Sequence, residues 1–114
     1  MSELSNLKCT ACRGDEPPLD LAVVRTRLSQ LPGWRLEIRD QIPRLEKEYR
    51  FKNFAEALQF TDHVGRIAEE EGHHPAILTE WGKVAVSWWT HKIKGVHQND
   101  LIMAAKTDDV YKGS

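Results

Sequence analysis

Three of the five histidines in this 114-residue chain bracket one hydrophobic stretch, "EGHHPAILTEWGKVAVSWWTH", with His73 and His74 at its start and His91 at its end. Imidazole is the side chain whose ordinary titration range spans neutrality, so a small group of histidines is suited to giving and taking protons. Two adjacent rings resist carrying charge together, and a neutral ring beside a protonated one supplies a base and an acid in the same place. Glu69 lies one helical turn before His73, placed either to orient an imidazole or to belong to the solvated acidic run Glu69-Glu70-Glu71. Asp100 follows His97 by three residues, the spacing at which an acidic side chain reaches back to a helix cap. With Glu69 and Asp100, the three imidazoles also make an acceptable zinc shell, although adjacent histidines diverge and chelate poorly compared with H-x-H or H-x-x-x-H spacing. Taken singly, each of the three has a plain structural use at a helix end or against a loop. His63 and His97 are expected at the surface and are not site candidates.

The elements that must position these residues follow from periodicity and punctuation. Residues 1–18 are polar and end in Pro17-Pro18, which predicts a flexible N-terminal arm ahead of one domain over residues 19–114. Asp20 can cap a first helix carrying Leu21, Val24, Leu28 and Leu31, stopped by Pro32-Gly33. "WRLEIR" and "RLEKEYRF" alternate apolar with polar residues around a turn at residues 40–43, and read as a hairpin. From Phe54, the residues Ala57, Leu58, Thr61, Val64, Ile67 and Ala68 recur at three and four, predicting the main helix. Gly72 and Pro75 end it, so His73 and His74 fall just past its C-terminus.

A short strand around residues 77–81 and a turn at Gly82-Lys83 lead into "VAVSWWTH", where Val84, Val86 and Trp88 share one face and Ala85, Ser87, Trp89 and His91 the other. Trp81 and Trp89 are expected in the core, with the border of a ligand pocket as the alternative. Gly95 breaks the chain before a last helix from about residue 98 to 111, with Leu101, Ile102, Ala104 and Ala105 available for packing. The order α-β-β-α-β-β-α, with strands joined in hairpins and three helices packed on one face, predicts an α+β, two-layer domain.

Composition narrows the function classes. Sixteen basic against 17 acidic side chains leave a net charge of -1 with no basic stripe, which argues against a nucleic-acid partner. No apolar run approaches the roughly 20 residues of a membrane span, and the N-terminus lacks the pattern of a secretory signal, so a cytoplasmic protein with no membrane partner is expected. Cys9 and Cys12 form one C-x-x-C without a second pair, and ordinary reduced thiols are the expected state.

Together, Glu69, His73-His74-Pro75, Trp81, His91 and Asp100 carry a resemblance, supported by "RFKNFAEALQF" and "THKIKG" and extending from about residue 19 to 110. The chain resembles the pterin-4a-carbinolamine dehydratases. The resemblance implies a four-stranded antiparallel sheet with helices on one face. It also implies dehydration of 4a-hydroxytetrahydrobiopterin to quinonoid dihydropterin, in recycling of the pterin used by aromatic amino acid hydroxylases. By the same resemblance His73, His74 and His91 do the acid-base work, while Glu69, Pro75, Thr90, Lys92, Ile93 and Asp100 bind substrate. No metal and no organic cofactor is implied, and homodimers or homotetramers are. Members that serve as dimerisation or assembly partners supply the alternative of a binding protein without essential catalysis. The chain departs from many relatives in carrying His97 where they have serine or threonine, and Ile77 where they often have an aromatic.

Overall fold

The Asp20 carboxylate accepts the Ala22 N–H at 2.8 Å and so starts α1 (Leu21–Leu28), the first element of a computed structural model that describes residues 17–113. Cys9, Cys12 and the expected arm up to residue 16 lie outside the described residues. Beyond α1, strand β1 (Arg35–Arg39) turns into β2 (Ile42–Arg50) through Asp40 and Gln41, both in the left-handed region at φ 52° and 66°. A two-residue turn with both φ positive matches the twist of a hairpin, so β2 begins earlier than the alternation alone suggests. It takes in Pro43, which lies beyond the last β4 partner, where one side of β2 is unpaired.

Helix α2 (Phe54–Glu71) starts at Asn53, whose side chain accepts the Glu56 N–H, and buries Ala57, Phe60, Val64 and Ala68. Its apolar stripe differs from the expected one at two positions: Phe54 and Leu58 are 45% and 52% exposed, and Phe60 occupies the core instead. Strands β3 (Ala76–Glu80) and β4 (Lys83–Trp88) follow, then α3 (Gln98–Lys112). All strand pairs are antiparallel and the sheet order is β1-β2-β4-β3. The class and order are those the sequence predicts.

Alternation sorts the two faces of the sheet. Leu36, Leu45, Tyr49, Val84, Val86 and Trp88 pack under the helices, against Val24, Phe60, Leu101 and Met103. Arg35, Glu37, Arg39, Arg44, Glu46 and Glu48 occupy the open face, where Arg39 holds Glu46 through two hydrogen bonds of 2.7 and 2.8 Å. The two tryptophans expected in the core are not there. Trp81 is 73% exposed in the β3–β4 turn, and Trp89 is half-buried just past β4; the core tryptophan is Trp88, because the register set by Val84 and Val86 runs on to it. Asp108 ties α3 to β2, accepting hydrogen bonds from Lys47, Tyr49 and the Trp34 indole.

Candidate active site

The end of α2 creates the site. Gly72 adopts φ 64°, and the His73 N–H bonds back to the Ala68 carbonyl while the Gly72 N–H bonds to Glu69, a closing pattern that needs a residue free to enter the left-handed region. Helical direction is lost there, and the two adjacent imidazoles part. His73 turns inward: its ring lies parallel to the buried Trp88 indole, 5.6 Å between centroids and 12° between planes, and its Nε2 is 2.5 Å from Asp100 Oδ1. The His73 side chain is 11% exposed and that of Asp100 is fully buried. His74 turns outward, with Nε2 2.5 Å from Glu69 Oε1 and both side chains well exposed.

Asp100 is the joint of three elements. Its Oδ1 meets His73 from the end of α2, and its Oδ2 accepts the Thr90 hydroxyl from the end of β4 and the His97 N–H at the start of α3, each at 2.8 Å. His97 is the N-cap residue, its Nδ1 accepting the Asn99 N–H at 3.0 Å, and together with Asp100 it forms a capping box. This overturns the expectation of a surface His97: the residue is 8% exposed, because its backbone and ring are both engaged in the cap, with Asp100 and Asn99, which are themselves buried. Asp100 therefore acts both as a cap and as the partner of His73, and any influence it has on a ligand passes through that ring.

Thr90 and Gly95 pair as an isolated bridge, closing a short excursion in which His91–Ile93 form one 3-10 turn and Lys94 sits at φ 51°. His91, exposed on this turn, lies parallel to the Trp89 ring at 4.6 Å and 10°. Gly72, His73, His74, Thr90, His91 and Lys92 line one cavity of about 280 Å³. The fold thus brings the three histidines, Thr90 and Lys92 to one opening. Pro75 and Ile93 are not among its lining residues, Glu69 reaches it through His74, and Asp100 lies behind His73. Trp88, which backs the His73 ring, was legible only as a member of the Val84 face.

A larger hollow of about 730 Å³ lies at the opposite end of the strands, beside Arg50, Phe51, Lys52, Phe60 and Tyr111. It has no histidine and no carboxylate paired to one in its lining. Chemistry favours the smaller cavity, where a ring bonded to a buried carboxyl group stands beside two others. Among the described residues, no three His, Cys, Asp or Glu side chains are grouped as for a metal ion.

The likeness to known proteins spans nearly all of the described residues. The model of the family described as pterin 4 alpha carbinolamine dehydratase matches residues 17–110. A protein of Nitrosococcus oceani, named as a candidate pterin-4-alpha-carbinolamine dehydratase, is 52% identical over 112 residues, covering 98% of this chain and 99% of its own. The crystal structure of a transcriptional coactivator/pterin dehydratase from Brucella melitensis is similar with a TM-score of 0.73 at 28% identity, over 82% of this chain and 97% of that one. A pterin dehydratase-like protein described as a RuBisCO assembly factor in the alpha-carboxysome shares the fold, with a TM-score of 0.58 at 24% identity over 68% of this chain and 88% of that one.

Proposed function

This chain belongs to the pterin 4 alpha carbinolamine dehydratase family and is a dehydratase enzyme; from that premise we propose that it dehydrates 4a-hydroxytetrahydrobiopterin, with His73, His74 and His91 carrying the proton transfers. In that substrate a hydroxyl on C4a stands beside an N5–H. The hydroxyl gains a proton and leaves as water, the C4a–O bond breaks, the N5 electrons form the C4a=N5 bond, and N5 gives up its proton. One water is lost and nothing is oxidised, so an acid and a base suffice.

The single observation that carries this reading is the His73–Asp100 pair beside the cavity. A carboxylate only accepts, so the Nε2 of His73 donates to Asp100, and Nδ1 is left as the nitrogen available to substrate. Glu69 fixes His74 in the same sense. Lys92 and Ile93 and the carbonyl side of Pro75 are assigned to the amide-like edge of the pterin. Thr90 is assigned to the wall, since its own N–H and carbonyl are engaged with Gly95. A cavity of about 280 Å³ lies at the small end of ligand sites and suits a bicyclic ring.

In this reading the arm up to residue 18 precedes a dehydratase domain over residues 19–114. The enzyme works in the cytoplasm without a cofactor, after an aromatic amino acid hydroxylase that leaves the pterin hydroxylated at C4a. Absorbance after mixing freshly generated 4a-hydroxytetrahydrobiopterin with the full chain tests it: quinonoid dihydropterin forms well above the uncatalysed rate. A folded protein that adds nothing to that rate refutes catalysis. It would favour a dimerisation or assembly partner, a reading supported by the likeness to the Brucella melitensis transcriptional coactivator/pterin dehydratase.

A further inference from the structure

His73 and His74 are each held by a carboxylate, whereas His91 makes no side-chain hydrogen bond among the described residues and stands exposed on a three-residue turn. An exposed imidazole with no bonded partner samples several rotamers, and proton transfer suffers when the ring is misplaced. What holds this ring is the flat face of Trp89, 4.6 Å away and 10° from parallel. Trp89 is held in turn. The register that pairs Leu45 with Trp88 and Glu46 with Ser87 makes Arg44 its cross-strand neighbour on the open face of the sheet. There the Arg44 guanidinium carbon lies 4.1 Å from the Trp89 ring centre.

Arg44 itself is placed by the ring more than by hydrogen bonds. Its side chain is 15% exposed, its Nε is buried without a hydrogen-bond partner among the described residues, and its nearest carboxylate, the solvent-exposed Asp40, is 3.9 Å away. An unbonded buried donor opposes folding, and the electron-rich indole face offsets that cost. We propose that Arg44 and Trp89 are positioning residues for the dehydration: the guanidinium fixes the indole, and the indole fixes the His91 imidazole at the mouth of the His73–His74 cavity. This role rests on the reading of His91 as a proton-transfer group.

The test compares wild type with Trp89→Ala, Trp89→Phe, Arg44→Gln and His91→Ala. It uses kcat and KM for 4a-hydroxytetrahydrobiopterin, together with the NMR shifts of the His91 ring protons, assigned by their loss in His91→Ala. Trp89→Ala lowers kcat about tenfold or more with KM within about twofold, and moves the His91 resonances from ring-current-shifted positions to those of an unstacked histidine. Trp89→Phe keeps a flat ring and restores both. Arg44→Gln, which keeps the stem on the open face, moves both in the same direction by a smaller amount, and carries the test should Trp89→Ala fail to fold. Unmoved His91 resonances in Trp89→Ala and Arg44→Gln, or unchanged kcat in both while His91→Ala has lost activity, overturn the positioning role alone. Wild-type kcat in His91→Ala overturns the proton-transfer reading and the positioning role with it.

Discussion

His73 and His91 are the same chemical group in opposite mechanical situations, and this separates the consequences of removing them. His91 is exposed and its loss leaves no buried atom stranded, so His91→Ala is expected to lower dehydration by about 10²–10⁴-fold while urea unfolding midpoints stay near wild type. His73 is almost enclosed and its Nε2 satisfies Oδ1 of a fully buried carboxylate. His73→Ala is therefore expected to lose activity and also about 1–3 kcal/mol of stability, measured by the same unfolding curves. Equal stability of the two variants would mean that the bond to Asp100 is replaced at no cost, and the account of Asp100 as a joint would fail.

Across elements, two ionisable groups tie strands to their neighbours and give the fold opposite pH limits. On the open face the hydrogen bonds from Arg39 hold the Glu46 carboxyl below the usual glutamate range, against the opposing effect of its burial; Ser87 adds a third bond at 3.0 Å. A carboxyl whose folded pKa is depressed contributes stability above its unfolded value, about 4.3, and loses it as pH falls through the folded value. Glu46→Gln is expected to flatten the acid side of a plot of unfolding midpoint against pH.

Under the helices, burial and then the hydrogen bond to Asp108 push the Tyr49 hydroxyl far above its ordinary range. That contribution is complete below about pH 10, the unfolded tyrosine value, and declines as pH rises beyond it, because the unfolded chain releases a proton that the folded one keeps. Tyr49→Phe is expected to remove this alkaline decline. A wild-type pH profile in either variant refutes the corresponding link.

At the scale of the molecule, the site depends on how three helix and strand ends converge, so protein groups alone are expected to sustain the reaction. Activity should persist after chelator treatment, and elemental analysis should find far less than one metal per chain. A zinc-activated water would instead make activity chelator-sensitive and restorable by added metal. The surface also carries apolar groups that a single chain leaves uncovered: Phe54 and Leu58 on α2, Ile38 on edge strand β1 and Leu78 on edge strand β3. We expect at least a dimer, since such edges and patches invite pairing. A monomer mass by light scattering at micromolar concentration would refute this. Among the described residues, no helix is long and apolar enough to cross a membrane.

The sequence by itself determined the elements, because their causes are local. Asp20 and Asn53 cap, Gly72 closes α2, Val84 and Val86 alternate, and each of these acts within a few residues of itself. It also put His73 and His74 at a helix end. What only the tertiary structure decided is which atoms meet across long separations. Asp100 read as a cap from its spacing, yet that spacing carries no sign that His73, 27 residues earlier, would close on its other oxygen. His97 looked like a surface residue because local pattern reports polarity and not the burial of the cap that His97 forms with Asp100. Trp81 and Trp89 read as core by residue type, and the strand register assigned that place to Trp88. Arg44 carries no local signature of its role, since a guanidinium over an indole exists only once β2 and β4 are paired. Periodicity fixes how a chain bends and which face is apolar, whereas proximity between distant side chains is a property of the packed whole.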